Sequence, residues 1–230
     1  MRPGAKGRAA VVGGGPAGLA CAARLAQAGV AVDLFERNRD LGGILAEQIP
    51  PFRLPAAALK RDIRAAVGRG VRVRTGAEVT DIDDLARRYD GVFVGAGAHG
   101  EASAGLPGEK LPGVMTSAAF LRALKGGRMR SPGAVVVVGG GNVALDCSLA
   151  ALHAGARRVG LYYRRSFNQM PAWKRELDMA VRAGVELQML CIPRVFAGRR
   201  GKLAGVIFCR AELGKPGKDG RRIPVRIAGS

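Results

Sequence analysis

Val11-Val-Gly-Gly-Gly-Pro-Ala-Gly-Leu-Ala20 near the start of the chain and Val137-Val-Gly-Gly-Gly-Asn-Val-Ala-Leu-Asp146 beyond its middle are two copies of one pattern. Each runs from a β-branched apolar stretch, through three glycines, into a stretch rich in alanine and leucine, so each reads as strand, tight turn and helix. Gly13, Gly15 and Gly18 form GxGxxG, with Gly14, Pro16 and Ala17 filling the motif. Gly139, Gly141 and Ala144 form GxGxxA, the permitted variant, with Gly140, Asn142 and Val143 between them. The first glycine allows the turn, the second lets a pyrophosphate approach the backbone, and the third position lets helix and strand pack closely. The helix N-terminus then offers N–H groups and the positive end of its dipole to the phosphates.

The two copies differ at the end of their second strand. Glu36 lies 23 residues after Gly13, at the end of that strand, where a carboxylate binds ribose hydroxyls; Arg37 beside it belongs to the same candidate site. The bland alternative is a glycine-rich turn with an unrelated surface acid. In the second copy the equivalent strand ends in Tyr163-Arg164-Arg165-Ser166, about 25 residues after Gly139. An arginine there suits a 2′-phosphate that an acid would repel, since guanidinium pairs with phosphate bidentately. The first unit is therefore expected to prefer a nucleotide with a free ribose, such as FAD, and the second NADPH. The alternative for Arg164 and Arg165 is two exposed arginines in an arginine-rich chain.

Outward from the motifs, strands and helices alternate. Strands are expected over residues 8–12, 30–36, 71–74, 78–80, 91–94, 134–138 and 158–163, with 91–94 read as buried and entering Gly95-Ala96-Gly97. Helices are expected over 16–28, 56–70, 83–89, 117–125 and 143–154; in the second of these Leu59, Ile63 and Val67 mark one face. Residues 185–227 read as short strands with turns at 198–201 and 214–220. Such alternation implies an α/β fold with parallel sheets covered by helices. The polar, glycine- and proline-bearing stretch 126–133 is the best boundary, giving domains 1–127 and 128–230.

Composition excludes several classes. The chain has 230 residues, 48% hydrophobic and 24% charged, which is globular composition. Glycine is the outlier at 35 residues, about twice usual usage, without a collagen period. No stretch approaches the roughly 20 apolar residues of a membrane helix, and glycines interrupt the N-terminal apolar run at Gly13, so a cytoplasmic protein is expected. Cys21, Cys147, Cys191 and Cys209 are scattered, which disfavours a dithiol, a zinc knuckle or an internal iron–sulfur cluster. The net charge is +19, with 37 basic residues. Aromatics are only 5% and the basic residues are scattered, so nucleic acid is not an expected partner. The densest basic patch, from Arg194 to Arg226, could dock an acidic electron-transfer partner or a larger subunit, or be a solvated surface. His99 and His153 read as structural or solvated, and Trp173 as packed.

Gly13-Gly-Gly-Pro-Ala-Gly18, Leu41-Gly-Gly-Ile-Leu45, Ile49-Pro-Pro-Phe-Arg-Leu-Pro55, Gly139-Gly-Gly-Asn-Val-Ala-Leu-Asp146 and Tyr163-Arg-Arg-Ser-Phe-Asn-Gln-Met-Pro-Ala172 together resemble the two-dinucleotide flavoproteins. They resemble in particular the branch containing the glutamate synthase small subunit and the flavin module of dihydropyrimidine dehydrogenase. The resemblance runs from about Arg8 to about Glu212. It implies two Rossmann-like domains in which NADPH delivers hydride to FAD and electrons leave singly, to an iron–sulfur protein or a larger subunit. It further implies that Gly13 to Gly18 hold the FAD pyrophosphate and Glu36 its ribose. Gly42, Gly43 and Leu45 would border the flavin. Arg53 would either approach the flavin or be an exposed structural arginine. Val79 would border the adenine, and Gly95, Ala96 and Gly97 would form the returning loop. Gly139 to Ala144 would hold the NADPH pyrophosphate, and Arg164 and Arg165 its 2′-phosphate. Hydride transfer between these cofactors needs no acid–base pair, and no catalytic residue is named.

Three departures from that branch stand out. Gln169 stands where a glutamate is usual, and the resemblance leads to the expectation that the cysteine-rich N-terminal cluster domain and the segments that close both domains are lacking from these 230 residues. The alternative expectation is a truncated or non-catalytic nucleotide-binding fragment, or a scaffold that needs another chain.

Overall fold

The computed structural model describes residues 7–68, 70–98, 100, 103–129, 133–218 and 220–230. His99 and Asp219, and residues 130–132 of the expected boundary stretch, lie outside the described residues. The chain divides into two compact units, Met1–Gly100 and Glu101–Ser230.

In the first unit the elements are β1 (Arg8–Val12), α1 (Pro16–Gln27), β2 (Ala31–Glu36), α2 (Ile44–Glu47), α3 (Ala56–Val67), β3 (Val71–Thr75), α4 (Ile82–Arg88) and β4 (Gly91–Val94). The sheet order is β3-β2-β1-β4 and every pairing is parallel. Val11, Leu34, Val32, Leu19 and Ala22 pack β1 and β2 against α1, with Ile63 and Val67 of α3 closing that layer. Each fully buried aliphatic side chain there contributes about 1.5–3 kcal/mol.

The other sheet face carries Ala10, Leu85 and Tyr89, and a buried acid, Asp33. Tyr89 donates its hydroxyl to Asp33 Oδ2 at 2.8 Å, and Arg8 Nη2 donates to the same oxygen at 3.2 Å. Arg74 and Arg72, both from β3, bring Nε within 3.5 and 3.6 Å of Oδ1. Burial pushes the Asp33 carboxyl up, but the Tyr89 hydroxyl, Arg8, Arg74 and Arg72 outweigh it and hold the carboxyl below its usual range.

In the second unit the elements are α5 (Ser117–Lys125), β5 (Ala134–Val138), α6 (Asn142–His153), β6 (Arg158–Tyr163), a 3₁₀ turn (Phe167–Gln169), α7 (Lys174–Arg182), β7 (Glu186–Met189), β8 (Cys191–Arg199), β9 (Lys202–Pro216) and β10 (Arg222–Arg226). A parallel sheet, β5-β6-β7, packs through Val159, Leu161, Val135 and Val137 on Leu145 and Leu149 of α6 and Leu177 and Ala180 of α7. An antiparallel sheet, β10-β9-β8, comes next, and Phe208 of β9 stacks on Tyr162 of β6 with ring centroids 4.2 Å apart.

Several expectations need correcting. The boundary expected after residue 127 falls inside the second unit, because Leu121 and Phe120 of α5 pack on Cys147 and Ala150 of α6. Residues 78–80 form no strand. β4 is not buried: it pairs only with β1 among the described residues, and Val94 is 54% exposed. β5 likewise pairs only with β6 among the described residues, and Val136 and Val138, on the sheet face opposite Val135 and Val137, are exposed. Residues 185–227 make one 15-residue strand, β9, with shorter partners, rather than uniformly short strands.

Candidate functional site: two glycine turns

The first turn is closed from three sides. Gly13 leaves β1 with φ +101, a conformation that L side chains rarely adopt, and its N–H donates to the Phe35 carbonyl at 2.8 Å. A Cβ on Gly13 would run into the Gly95 carbonyl, and one on Gly18 into the Gly13 carbonyl. Gly95 in turn donates to the Val12 carbonyl at 2.7 Å. Pro16 occupies the start of α1, where a missing N–H costs nothing, and the first turn of the helix has no acidic residue.

Glu36 is 6% exposed, a buried acid rather than a surface one. Its Oε2 accepts from the Gly14 N–H at 2.7 Å and its Oε1 from the Asn38 N–H at 2.7 Å. The Gly14 carbonyl accepts from the Gly42 N–H, also at 2.7 Å, so the Gly14 residue is fixed through both its amide and its carbonyl. Gly43 sits close by: a Cβ on it would lie 3.0 Å from Gly15 Cα. The structure thus gathers Gly13, Gly14, Gly15, Gly18, Glu36, Gly42, Gly43 and Gly95 in one place. Around them Arg37, Ala96 and Gly97 are exposed, while Leu45 and Arg53 are half-buried, Arg53 in the turn after Pro50. Val79 packs its side chain with Ala10, Leu85 and Tyr89.

The second turn is built differently. Gly139 donates to the Tyr162 carbonyl at 3.0 Å, and a Cβ on Gly140 would meet the Tyr163 ring. The Tyr163 hydroxyl donates to the Gln169 carbonyl at 2.9 Å. From there the chain returns to the turn: Ala172 N–H donates to the Gly140 carbonyl at 3.1 Å, and Trp173 N–H to Asn142 Oδ1 at 3.0 Å. Gly141 is the opposite case, because a Cβ there would meet nothing within 4 Å among the described residues. Open space therefore lies directly in front of the N-terminus of α6, whose first turn also lacks an acidic residue. Ala144 is buried at the third motif position and Val143 is exposed beside it.

The two arginines separate. Arg164 is exposed at the end of β6, whereas Arg165 is buried and its Nε donates to the Arg222 carbonyl of β10 at 2.8 Å. Trp173, expected to pack, is 67% exposed. Sequence reasoning does not find Asn38, Tyr163 or the Asn142–Trp173 bond; only the Met170-Pro-Ala172 segment signals that this stretch belongs to the turn. Glycines at which a Cβ would collide in the first turn, open space in front of α6 in the second, and the absence of acid in the first turn of either helix fit a dinucleotide diphosphate at each turn.

The family profile described as pyridine nucleotide-disulphide oxidoreductase matches residues 7–208. The chain is 42% identical over 235 residues to the NADP(+)-dependent formate dehydrogenase subunit beta of Moorella thermoacetica, covering 97% of the chain and 32% of that protein. It is 36% identical over 239 residues to the glutamate synthase (NADPH) small chain of Escherichia coli (strain K12), covering 97% of the chain and 51% of that protein. The chain therefore spans about a third to a half of the length of these relatives. Among solved structures, FprA of Mycobacterium tuberculosis in complex with NADPH superposes with a TM-score of 0.81 at 19% identity, over 97% of the chain and 67% of FprA, a likeness of fold.

Proposed function

The chain belongs to the pyridine nucleotide-disulphide oxidoreductase family, and on that premise we propose that it is an NADPH-dependent FAD oxidoreductase unit that passes electrons to an iron–sulfur protein or a larger subunit. The observation that carries this is the contrast between the turns: a buried carboxylate at the end of β2 and an exposed arginine at the end of β6. Glu36 suits ribose hydroxyls, so the first turn holds FAD; Arg164 suits a 2′-phosphate, so the second holds NADPH. When bound, FAD supplies the ability to take electrons as hydride and release them singly.

The protein's own residues bind and orient. The amides at the start of α1 and α6 receive the diphosphates. Glu36 fixes the Gly14 amide before any ligand arrives, so little ordering remains to be done on binding. Arg165 clasps β10, leaving Arg164 to face the nucleotide. Thiols are placed poorly for taking electrons as a dithiol. Cys191 and Cys209 lie on neighbouring strands, but their register sends them to opposite faces, and burial beside Asp146 pushes the Cys147 thiol up to about 12.

A second reading, a nucleotide-binding unit that turns over only with a further polypeptide segment, is supported by the edges of β4 and β5, which are unpaired among the described residues. One experiment separates them. The chain is purified, supplied with FAD, and its visible spectrum recorded before and after anaerobic NADPH. Bound flavin that bleaches supports the oxidoreductase; flavin that does not bind, or binds without bleaching, refutes turnover by this chain alone.

A further inference from the structure

We infer that the indole of Trp173 stacks on the adenine of the nucleotide held at the second turn, an inference that rests on the reading of that turn as the NADPH site. Tryptophan is the side chain that gains most from burial, yet Trp173, the only one in the chain, is two-thirds exposed. The exposure is built in rather than a matter of a loose segment. Trp173 N–H donates to Asn142 Oδ1, its carbonyl accepts from the Glu176 and Leu177 amides at 3.0 Å each, and the preceding Ala172 N–H is held by the Gly140 carbonyl.

The position has a chemical meaning. Asn142 comes directly after Gly141, so Trp173 is tied by one hydrogen bond to the residue next to the open space where a diphosphate would sit. Arg164, the exposed cation suited to a 2′-phosphate, opens the same chain segment that Trp173 closes. The adenosine half of NADPH lies between those two phosphate positions, so its base runs alongside residues 164–173, and Trp173 supplies the one indole face there. A purine on an exposed indole is a sequence-tolerant stacking pair whose loss on alanine substitution costs about 1–3 kcal/mol. At a rim open to water the lower end applies, roughly a fivefold change in Kd.

The test uses the 230-residue chain and 2′,5′-ADP, a probe that carries adenine and both flanking phosphates but no nicotinamide. Its binding is followed in parallel by calorimetry and by the emission of Trp173. The expected result is saturable quenching with the calorimetric Kd, a Kd about fivefold weaker for Trp173→Ala, and a Kd within about twofold of the original for Trp173→Phe. Calorimetric binding without any change in emission overturns the inference, as does Trp173→Ala binding as tightly as the unaltered chain. The emission measurement needs no variant and so decides even if Trp173→Ala fails to fold. If neither 2′,5′-ADP nor NADPH gives a calorimetric signal, the reading of the second turn fails as well, and the two failures are told apart.

Discussion

Glu36 has a job to do before any nucleotide binds, and Glu36→Gln exposes it. In the ligand-free chain the carboxylate takes two backbone amides, Gly14 and Asn38, each at 2.7 Å. Hydrogen bonds to a charged acceptor contribute about 1.5–3 kcal/mol each when buried. Glutamine is nearly isosteric and keeps one acceptor oxygen, but turns an amide donor toward the other N–H. One bond of the pair is lost and the charge assistance of both disappears, so the first unit is expected to lose about 2–3 kcal/mol. For a unit of this size that is a drop of about 10–20 °C in melting temperature. The assay is urea unfolding of ligand-free protein by far-ultraviolet circular dichroism, with peptide-resolved hydrogen exchange over residues 8–20. Trp173 fluorescence is the wrong probe, since it lies in the other unit. If Glu36→Gln unfolds at the unaltered midpoint with unaltered protection around Gly14, the carboxylate serves ribose alone and pre-organisation of the first turn is refuted.

The glycines of the two turns should fail in different ways. Gly18→Ala drives a Cβ onto the Gly13 carbonyl and is expected to destabilise the chain by about 2–4 kcal/mol, read as a lower urea midpoint. Gly141→Ala, whose backbone is extended and whose Cβ meets open space, should leave that midpoint unchanged yet weaken 2′,5′-ADP at least about tenfold by calorimetry, because the methyl occupies the ligand's approach. Tyr89→Phe removes the hydroxyl that helps hold the Asp33 carboxyl low and should cost about 1.5–3 kcal/mol at pH 7. Because the Asp33 carboxyl sits below its usual value of about 3.9 in the folded chain, its stabilisation is present above that pH and is lost as pH falls below it. The gap between Tyr89→Phe and the unaltered chain should therefore narrow from pH 7 to about pH 3; a constant gap assigns the loss to packing instead.

The features legible in the sequence are those set by local rules. The limits of α5, β5 and β6 coincide with the expected ones, because capping, glycine turns and β-branched runs are written in neighbouring residues. The turns are legible for the same reason. Long-range facts are not. An apolar strand such as Gly91–Val94 reads as buried whether or not a neighbour arrives to cover it, and here its outer edge pairs with nothing among the described residues. Arg164 and Arg165 are adjacent and chemically identical, and only the arrival of β10, 57 residues on, commits Arg165 to the Arg222 carbonyl. Trp173 reads as packed because tryptophan is buried on average, and nothing nearby in sequence discloses its tie to Asn142, 31 residues earlier. Glu36 is found by its distance from Gly13, yet its grip on the turn is visible only in the folded chain.

The edges of β4 and β5 also bear on how this protein behaves in a tube. Their outer sides offer unpaired backbone and exposed valines among the described residues, the ingredients of edge-to-edge association, whereas the edge strand β3 carries Arg72 and Arg74. The shared charge of +19 keeps molecules apart. That repulsion reaches roughly 10 Å at 0.1 M salt and about 3 Å at 1 M. Salt therefore acts on this protein as a colloidal switch: dilute buffer disperses it, and concentrated buffer lets the bare strands meet.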